Sequence, residues 1–241
     1  MNGRTLTFGV SGLLRQSNLV MWDHETESWW QQGTAEAIVG SLAGTRLEPI
    51  AAQVVTWREF KAAFPQGTTI SAAEGPHGYN PYAYYDTNPS PFLFSGALLP
   101  PLPATERVVG VLLQGKPRAY PFRELAKQRL IQESLGDARL VIFYEPSALS
   151  ALDAPDVGSA RSVGSASVFV PQAGGQKLTF AYSGKEGLFV DQETGSQWNM
   201  LGQAVQGPLK GQRLPPLLHT QGFWFYWAAI YPATTVYGNP G

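Results

Sequence analysis

The stretch Asp23-His24-Glu25-Thr26-Glu27-Ser28-Trp29-Trp30 returns 168 residues later as Asp191-Gln192-Glu193-Thr194-Gly195-Ser196-Gln197-Trp198. Upstream of it, Leu6-Thr7-Phe8-Gly9-Val10-Ser11-Gly12 returns after 172 residues as Leu178-Thr179-Phe180-Ala181-Tyr182-Ser183-Gly184. Downstream, Gly44, Leu47, Pro49 and Trp57 find partners 167 residues on in Gly211, Leu214, Pro216 and Trp224, and Phe64-Pro65 returns as Tyr231-Pro232. The order is kept throughout, and the drifting offset is what loops of unequal length produce. A period this long describes a duplicated half of a domain rather than a solenoid unit of about 20–50 residues.

The correspondence leaves residues 106–172 of the second copy without a counterpart in the first. Asn2-Gly3 is a hairpin-turn signal with no strand before it, whereas Gly174-Gly175 follows the strand-like run Ser167-Val168-Phe169-Val170. The expectation is a chain that opens part-way through its first repeat.

Hydrophobic residues make up 44% and charged residues 15%, the balance of an ordered globular chain. Seventeen basic and eighteen acidic residues nearly cancel, and no basic stripe offers a surface to nucleic acid. There is no cysteine, which removes thiol catalysis, disulfides and thiolate metal sites from this chain. The longest aromatic-apolar stretch, Phe223 to Tyr231, is about half the roughly 20 residues that a membrane-spanning helix requires.

Abundant Gly and Pro divide the chain into short segments, which reads as a β-rich α+β fold. It would consist of two pseudo-symmetric repeats with mixed or antiparallel sheets and a few short helices. Strands are expected over Leu6–Val10, Asn18–Trp22 and Ser28–Gln32, with a turn at Asp23–Glu27. Thr56 and Glu59 form a capping box that opens a helix over Trp57–Phe64, which Pro65 ends. The corresponding helix, Phe223–Tyr231, ends at Pro232 without such a cap, and its aromatic density predicts burial. Val108–Leu113 and Arg118–Tyr120 read as a hairpin, Pro121–Lys127 as a short helix, and Leu130–Glu133 with Leu140–Tyr144 as a strand pair. The resulting division is a first repeat over 1–70, a Tyr/Pro/Gly-rich connector over 71–105 and a second repeat over 106–241. Residues 147–165, rich in small side chains, read as a mobile surface loop.

Asp23 and Glu25, with Asp191 and Glu193, are the carboxylates found in both copies. On an extended chain, residues i and i+2 face the same side and suit a hard cation. Equally, Asp-x-x-Thr between strands is turn chemistry, in which carboxylate and hydroxyl hold loop N–H groups. Trp30 and Trp198 suit either a stacking wall or a core anchor. His24, His77 and His219 are too scattered for a zinc signature, and no nucleophile elbow or phosphate loop is present. The connector offers Tyr79, Asn80, Tyr82, Tyr84, Tyr85, Asp86 and His77. Tyrosine-rich loops serve recognition, of sugars among other ligands, or seal two halves together.

The run Phe8-Gly9-Val10-Ser11-Gly12-Leu13-Leu14, continued by Ser17-Asn18-Leu19-Val20-Met21-Trp22-Asp23, Glu25-Thr26-Glu27-Ser28 and Trp30-x-Gln32, resembles the bacterial and archaeal family catalogued as domain of unknown function 3179. Asn80-Pro81-Tyr82, Tyr85-Asp86, Val109-Gly110-Val111 and Arg118-Ala119-Tyr120-Pro121 resemble it too. The resemblance adds Arg118 to the candidate ligand contacts and implies an extracytoplasmic, exported or lipoprotein-anchored setting, but supplies no activity or cofactor. It also implies a Cys-Pro-Leu-Cys stretch, whose place in the second copy is taken by Tyr144-Glu145-Pro146-Ser147-Ala148, and a His-Glu pair, which here is Gln128-Arg129. The leading expectation is therefore a non-catalytic ligand-binding or scaffold module. Its ligand would be a small molecule, a sugar or a cation, and self-association would follow if a sheet edge is left unpaired. The alternative is a metal- or thiol-dependent enzyme whose cysteine-bearing half-repeat lies outside this chain.

Overall fold

A computed structural model describes residues 3–70 and 80–239. The chain begins with four strands: β1 (Phe8–Arg15), β2 (Asn18–Asp23), β3 (Trp29–Gln31) and β4 (Glu36–Val39), which form an antiparallel meander in the order 1-2-3-4. Helix α1 (Trp57–Ala63) follows. Thr56 Oγ1 accepts the Glu59 N–H while the Glu59 carboxylate accepts the Thr56 N–H, so the predicted capping box is formed.

Beyond the connector come β5 (Arg107–Leu113), β6 (Lys116–Pro121), α2 (Phe122–Gln128), β7 (Leu130–Leu135), β8 (Ala138–Glu145) and β9 (Ser165–Phe169). A small hairpin of β10 (Gln172–Ala173) and β11 (Gln176–Lys177) turns on Gly174-Gly175. A second meander runs through β12 (Phe180–Tyr182), β13 (Leu188–Asp191), β14 (Gln197–Asn199) and β15 (Ala204–Gln206). The chain closes with β16 (Thr220–Phe223), α3 (Trp224–Ile230) and β17 (Thr235–Val236). The fold is β-rich α+β, with antiparallel and mixed sheets and, among the described residues, three short α-helices. The mixed sheet has the order β16-β5-β6-β17, with β17 parallel to β6.

The two meanders share strand order and register. Phe8 stands opposite Asp23 as Phe180 stands opposite Asp191, and Met21 opposite Trp30 as Phe189 opposite Trp198. Both interrupt their third strand with an irregularity at the same place, between Trp29 and Trp30 and between Gln197 and Trp198.

What lies over them differs. Strand β8 is the central strand of the sheet β7-β8-β9, and its side chains alternate between two interiors. Leu140, Ile142 and Tyr144 pack towards β5, β6 and α2, with Val109, Val111, Phe122 and Leu125. Val141 and Phe143 pack towards the second meander, with Phe169, Phe180, Phe189, Trp198 and Met200. Phe143 and Phe189 stack at 4.0 Å between ring centres. Among the described residues no sheet lies on β1–β4 in this way, and the four buried apolar clusters draw no member from those strands. Phe8, the positional equivalent of buried Phe180, is 37% exposed, and Val10 is 71% exposed.

The expected strands and helices are present, with ends displaced. β1 begins at Phe8 rather than Leu6 and runs on to Arg15, because the chain bulges between Val10 and Leu13 and continues pairing with β2. Helix α3 is buried through Trp224, Phe225, Trp227 and Ala228, as its aromatic density predicts, and its first residue has no side-chain cap.

Candidate functional site

The repeated carboxylates are built into two equivalent turns. Asp23 Oδ1 accepts the Thr26 N–H at 2.6 Å and Oδ2 accepts the Trp30 indole N–H at 2.8 Å. Asp191 does the same with Thr194 at 2.6 Å and Trp198 at 2.8 Å. Glu25 accepts the Thr7 N–H at 2.7 Å, and Glu193 the Thr179 N–H at 2.8 Å. Ser28 and Ser196 complete the turns: each hydroxyl accepts a backbone N–H, from Leu42 and Leu209 respectively. A glycine passes over each serine, Gly40 at φ +99° and Gly207 at φ +94°, and a Cβ on either would stand 2.7 Å from the serine Cα. Burial opposes ionisation of Asp23, but the hydrogen bonds from Trp30, Thr26 and Ser28 outweigh it and hold the carboxyl below its ordinary range. Trp30 and Trp198 are fully buried beside these carboxylates, with Phe8 and Phe180 set edge-on to them at 5.7 Å. Among the described residues no group of three or more His, Asp or Glu side chains converges as a metal-ligand set.

Arg118 forks onto Glu133 at 2.8 and 2.5 Å, and Tyr120 donates to the same carboxylate at 2.6 Å. Its planar group lies over the rings of Tyr120 and Tyr237, and no connector residue is among these partners. His77 and Tyr79 lie outside the described residues.

The remaining connector candidates come together. Tyr84 and Tyr85 donate their N–H groups to the carbonyls of Asp153 and Leu152, and the Asn80 side chain donates to the Ala151 carbonyl. The loop over residues 147–165 is thereby stitched to the connector. A single 3-10 turn, Tyr85–Thr87, sets consecutive side chains to opposite uses.

Tyr85 joins Tyr82, Phe92, Leu93, Leu14, Ser17 and Leu152 around a cavity of about 310 Å3, at the tip of the β1–β2 hairpin. Tyr82 and Phe92 stack at 6.2 Å, and Tyr85 meets Phe92 edge-on at 5.1 Å. Burial, and then the neighbouring Tyr82, raise the Tyr85 phenol, so it stays protonated as a donor. Asp86 points the other way and is buried. Its Oδ2 accepts from Ser150 at 2.7 Å and Arg107 at 3.0 Å, with Arg161 at 3.3 Å. Burial works against this carboxylate, yet Ser150, Arg107 and Arg161 hold it below the usual range. Asp86 is one wall of a polar cavity that includes Arg107, Arg123, Arg161 and Glu106.

The sequence reading missed Phe92, Leu93 and Leu152, apolar residues of irregular segments whose place is set by long-range pairing. The signal that was available is compositional: Phe92-Leu93-Phe94 is an aromatic run inside a Pro/Ser-rich stretch.

The family model described as protein of unknown function (DUF3179) matches residues 1–234 of the 241. The chain belongs to this family. No match to a DUF3179 relative among curated proteins, or to a solved structure, accompanies it. In this DUF3179 chain no helix among the described residues is long and apolar enough to cross a membrane.

Proposed function

We propose that this DUF3179 chain is a non-catalytic binding module organised as two repeats, 1–70 and 106–241, with its ligand site on the 71–105 connector. The observation that supports the reading is the cleft formed by Tyr82, Tyr85 and Phe92 against Leu14 and Leu152. Its volume lies at the low end of the 300–1,000 Å3 usual for small-ligand pockets. Its lining combines aromatic faces with two hydroxyl-bearing residues, Tyr85 and Ser17, the latter donating to the Leu93 carbonyl, which suits a ligand with one flat apolar face and hydroxyls on its rim, as a pyranose has.

Ligand-observed NMR with a panel of pyranose monosaccharides and disaccharides tests it. At least one should show saturation transfer that is lost in Tyr82→Ala, a half-exposed position whose truncation leaves the fold standing. Absence of transfer from the whole panel, or transfer unchanged by Tyr82→Ala, removes the support.

A second reading, self-association through β1, has its own observation. β1 is an edge strand of eight residues that carries exposed Phe8, Val10, Leu13 and Leu14. Such an edge is a template for antiparallel pairing with a second copy. Sedimentation should then show a dimer that Val10→Lys dissociates, whereas a monomer at about 100 μM, well above the micromolar range of stable association, speaks against it.

A further inference from the structure

Two glutamates from distant parts of the chain turn into one cavity. Glu59, in the first turn of α1, gives Oε2 to the Thr56 N–H and hydroxyl, both at 2.8 Å. Its other oxygen, Oε1, is buried and has no hydrogen-bond partner among the described residues. Glu145, the last residue of β8, gives Oε1 to the Ser147 N–H at 2.9 Å. Its Oε2 is likewise buried without a partner among the described residues, and the residue as a whole is 3% exposed.

Gly187, in the β12–β13 turn, borders both free oxygens. A Cβ placed on it would lie 3.6 Å from Glu145 Oε2 and 3.8 Å from Glu59 Oε1. Its φ of +68° favours a residue without one. All three residues line a half-enclosed cavity of about 200 Å3 between α1 and the second meander. The other charges on its wall are Glu186 and Arg58, of opposite sign.

An unpaired buried carboxylate is costly, and two directed at one space repel as well, which a shared proton or a cation between them relieves. Here each spends one oxygen on its own backbone and is thereby fixed in orientation, and the second oxygens converge. We propose that this cavity is a binding site for a hydrated divalent cation, held by Glu59 Oε1 and Glu145 Oε2. Magnesium-type ions are commonly held by one or two carboxylates while keeping several waters. A water takes about 30 Å3, so the cavity has room for such an ion with part of its shell. The ion would tie α1 to the second meander and is independent of the aromatic cleft.

The test is calorimetric titration and thermal melting of the whole chain with Mg2+, Ca2+ and Mn2+, beside methylammonium and guanidinium as organic cations. Wild type should bind one divalent ion per chain and melt higher with it. Glu145→Gln and Glu59→Gln, which keep an oxygen to serve the Ser147 and Thr56 N–H groups, should each weaken binding at least tenfold. Asp137→Asn, on an exposed turn, should leave it unchanged. Should either Gln variant fail to fold, Mn2+ added to wild type should broaden the amide resonances of Gly187 and Ser147 before those of the β1–β4 meander. The proposal is overturned by no heat or melting shift with any divalent ion at about 10 mM, by Gln variants that bind like wild type, by broadening elsewhere first, or by stabilisation that only the organic cations give.

Discussion

Trp198 donates its indole N–H to Asp191 at 2.8 Å, and the pair is fully buried. Trp198→Phe keeps the aromatic contact with Phe180 but leaves a buried carboxylate oxygen without its donor. That loss should cost about 2–3 kcal/mol. Urea denaturation should show it as a lower midpoint with an unchanged slope. Trp30→Phe, which deprives Asp23 of the matching bond, should lower the midpoint as well.

Phe180 and Phe8 hold equivalent positions in meanders that are covered unequally. Phe180→Ala opens a hole among Phe143, Trp198 and their neighbours and should cost about 3–5 kcal/mol. Phe8→Ala removes a ring already more than a third exposed and should cost about 1–2 kcal/mol. Equal losses in chemical denaturation would mean that the first meander is covered as well as the second.

Gly110 in β5 faces the Trp227 ring of α3, and a Cβ there would lie 2.2 Å from it. Neither the backbone of a central strand nor a buried indole has room to retreat. Gly110→Ala should therefore destabilise by at least about 1–3 kcal/mol, measured as a fall in Tm.

His219 gives a pH dependence near neutrality. Burial lowers its pKa, partly opposed by the hydrogen bond between Nδ1 and the Leu217 carbonyl, and Nε2 is buried without a partner among the described residues. The folded state thus takes up its proton at lower pH than the unfolded chain, where histidine titrates near about 6.5. Stability from this group is complete above that value and is lost as pH falls through the folded pKa. Tm should fall as pH drops below about 6.5, and His219→Gln should flatten the drop. Asp23 and Asp86, both held low, add a second loss that begins below the ordinary carboxylate range of about 4.

The elements that local chemistry decides were legible in the sequence. Asp-x-x-Thr announces the two turns, Thr56 with Glu59 announces α1, and the aromatic run 223–231 announces a buried helix. What was not legible depends on pairing across long separations. Nothing local to β1 says that, among the described residues, no sheet lies on it as β7–β9 lies on β12–β15. Glu59 reads completely as a capping residue, and Glu145 reads only as a substitution in a family motif, so their convergence at Gly187 is invisible until α1 is docked. Asp86 stands among tyrosines in the sequence, yet the single 3-10 turn sends it away from them into an ion pair.

Native-state hydrogen exchange, followed residue by residue, asks most directly whether one meander is built twice and secured once. The second meander sits in the aromatic core, so the amides of Phe189 and Trp198 should exchange only through global unfolding. Those of Met21 and Trp30, at the same register positions, should exchange through a smaller opening and respond less steeply to denaturant. Equal protection at the two sets of positions would contradict the account.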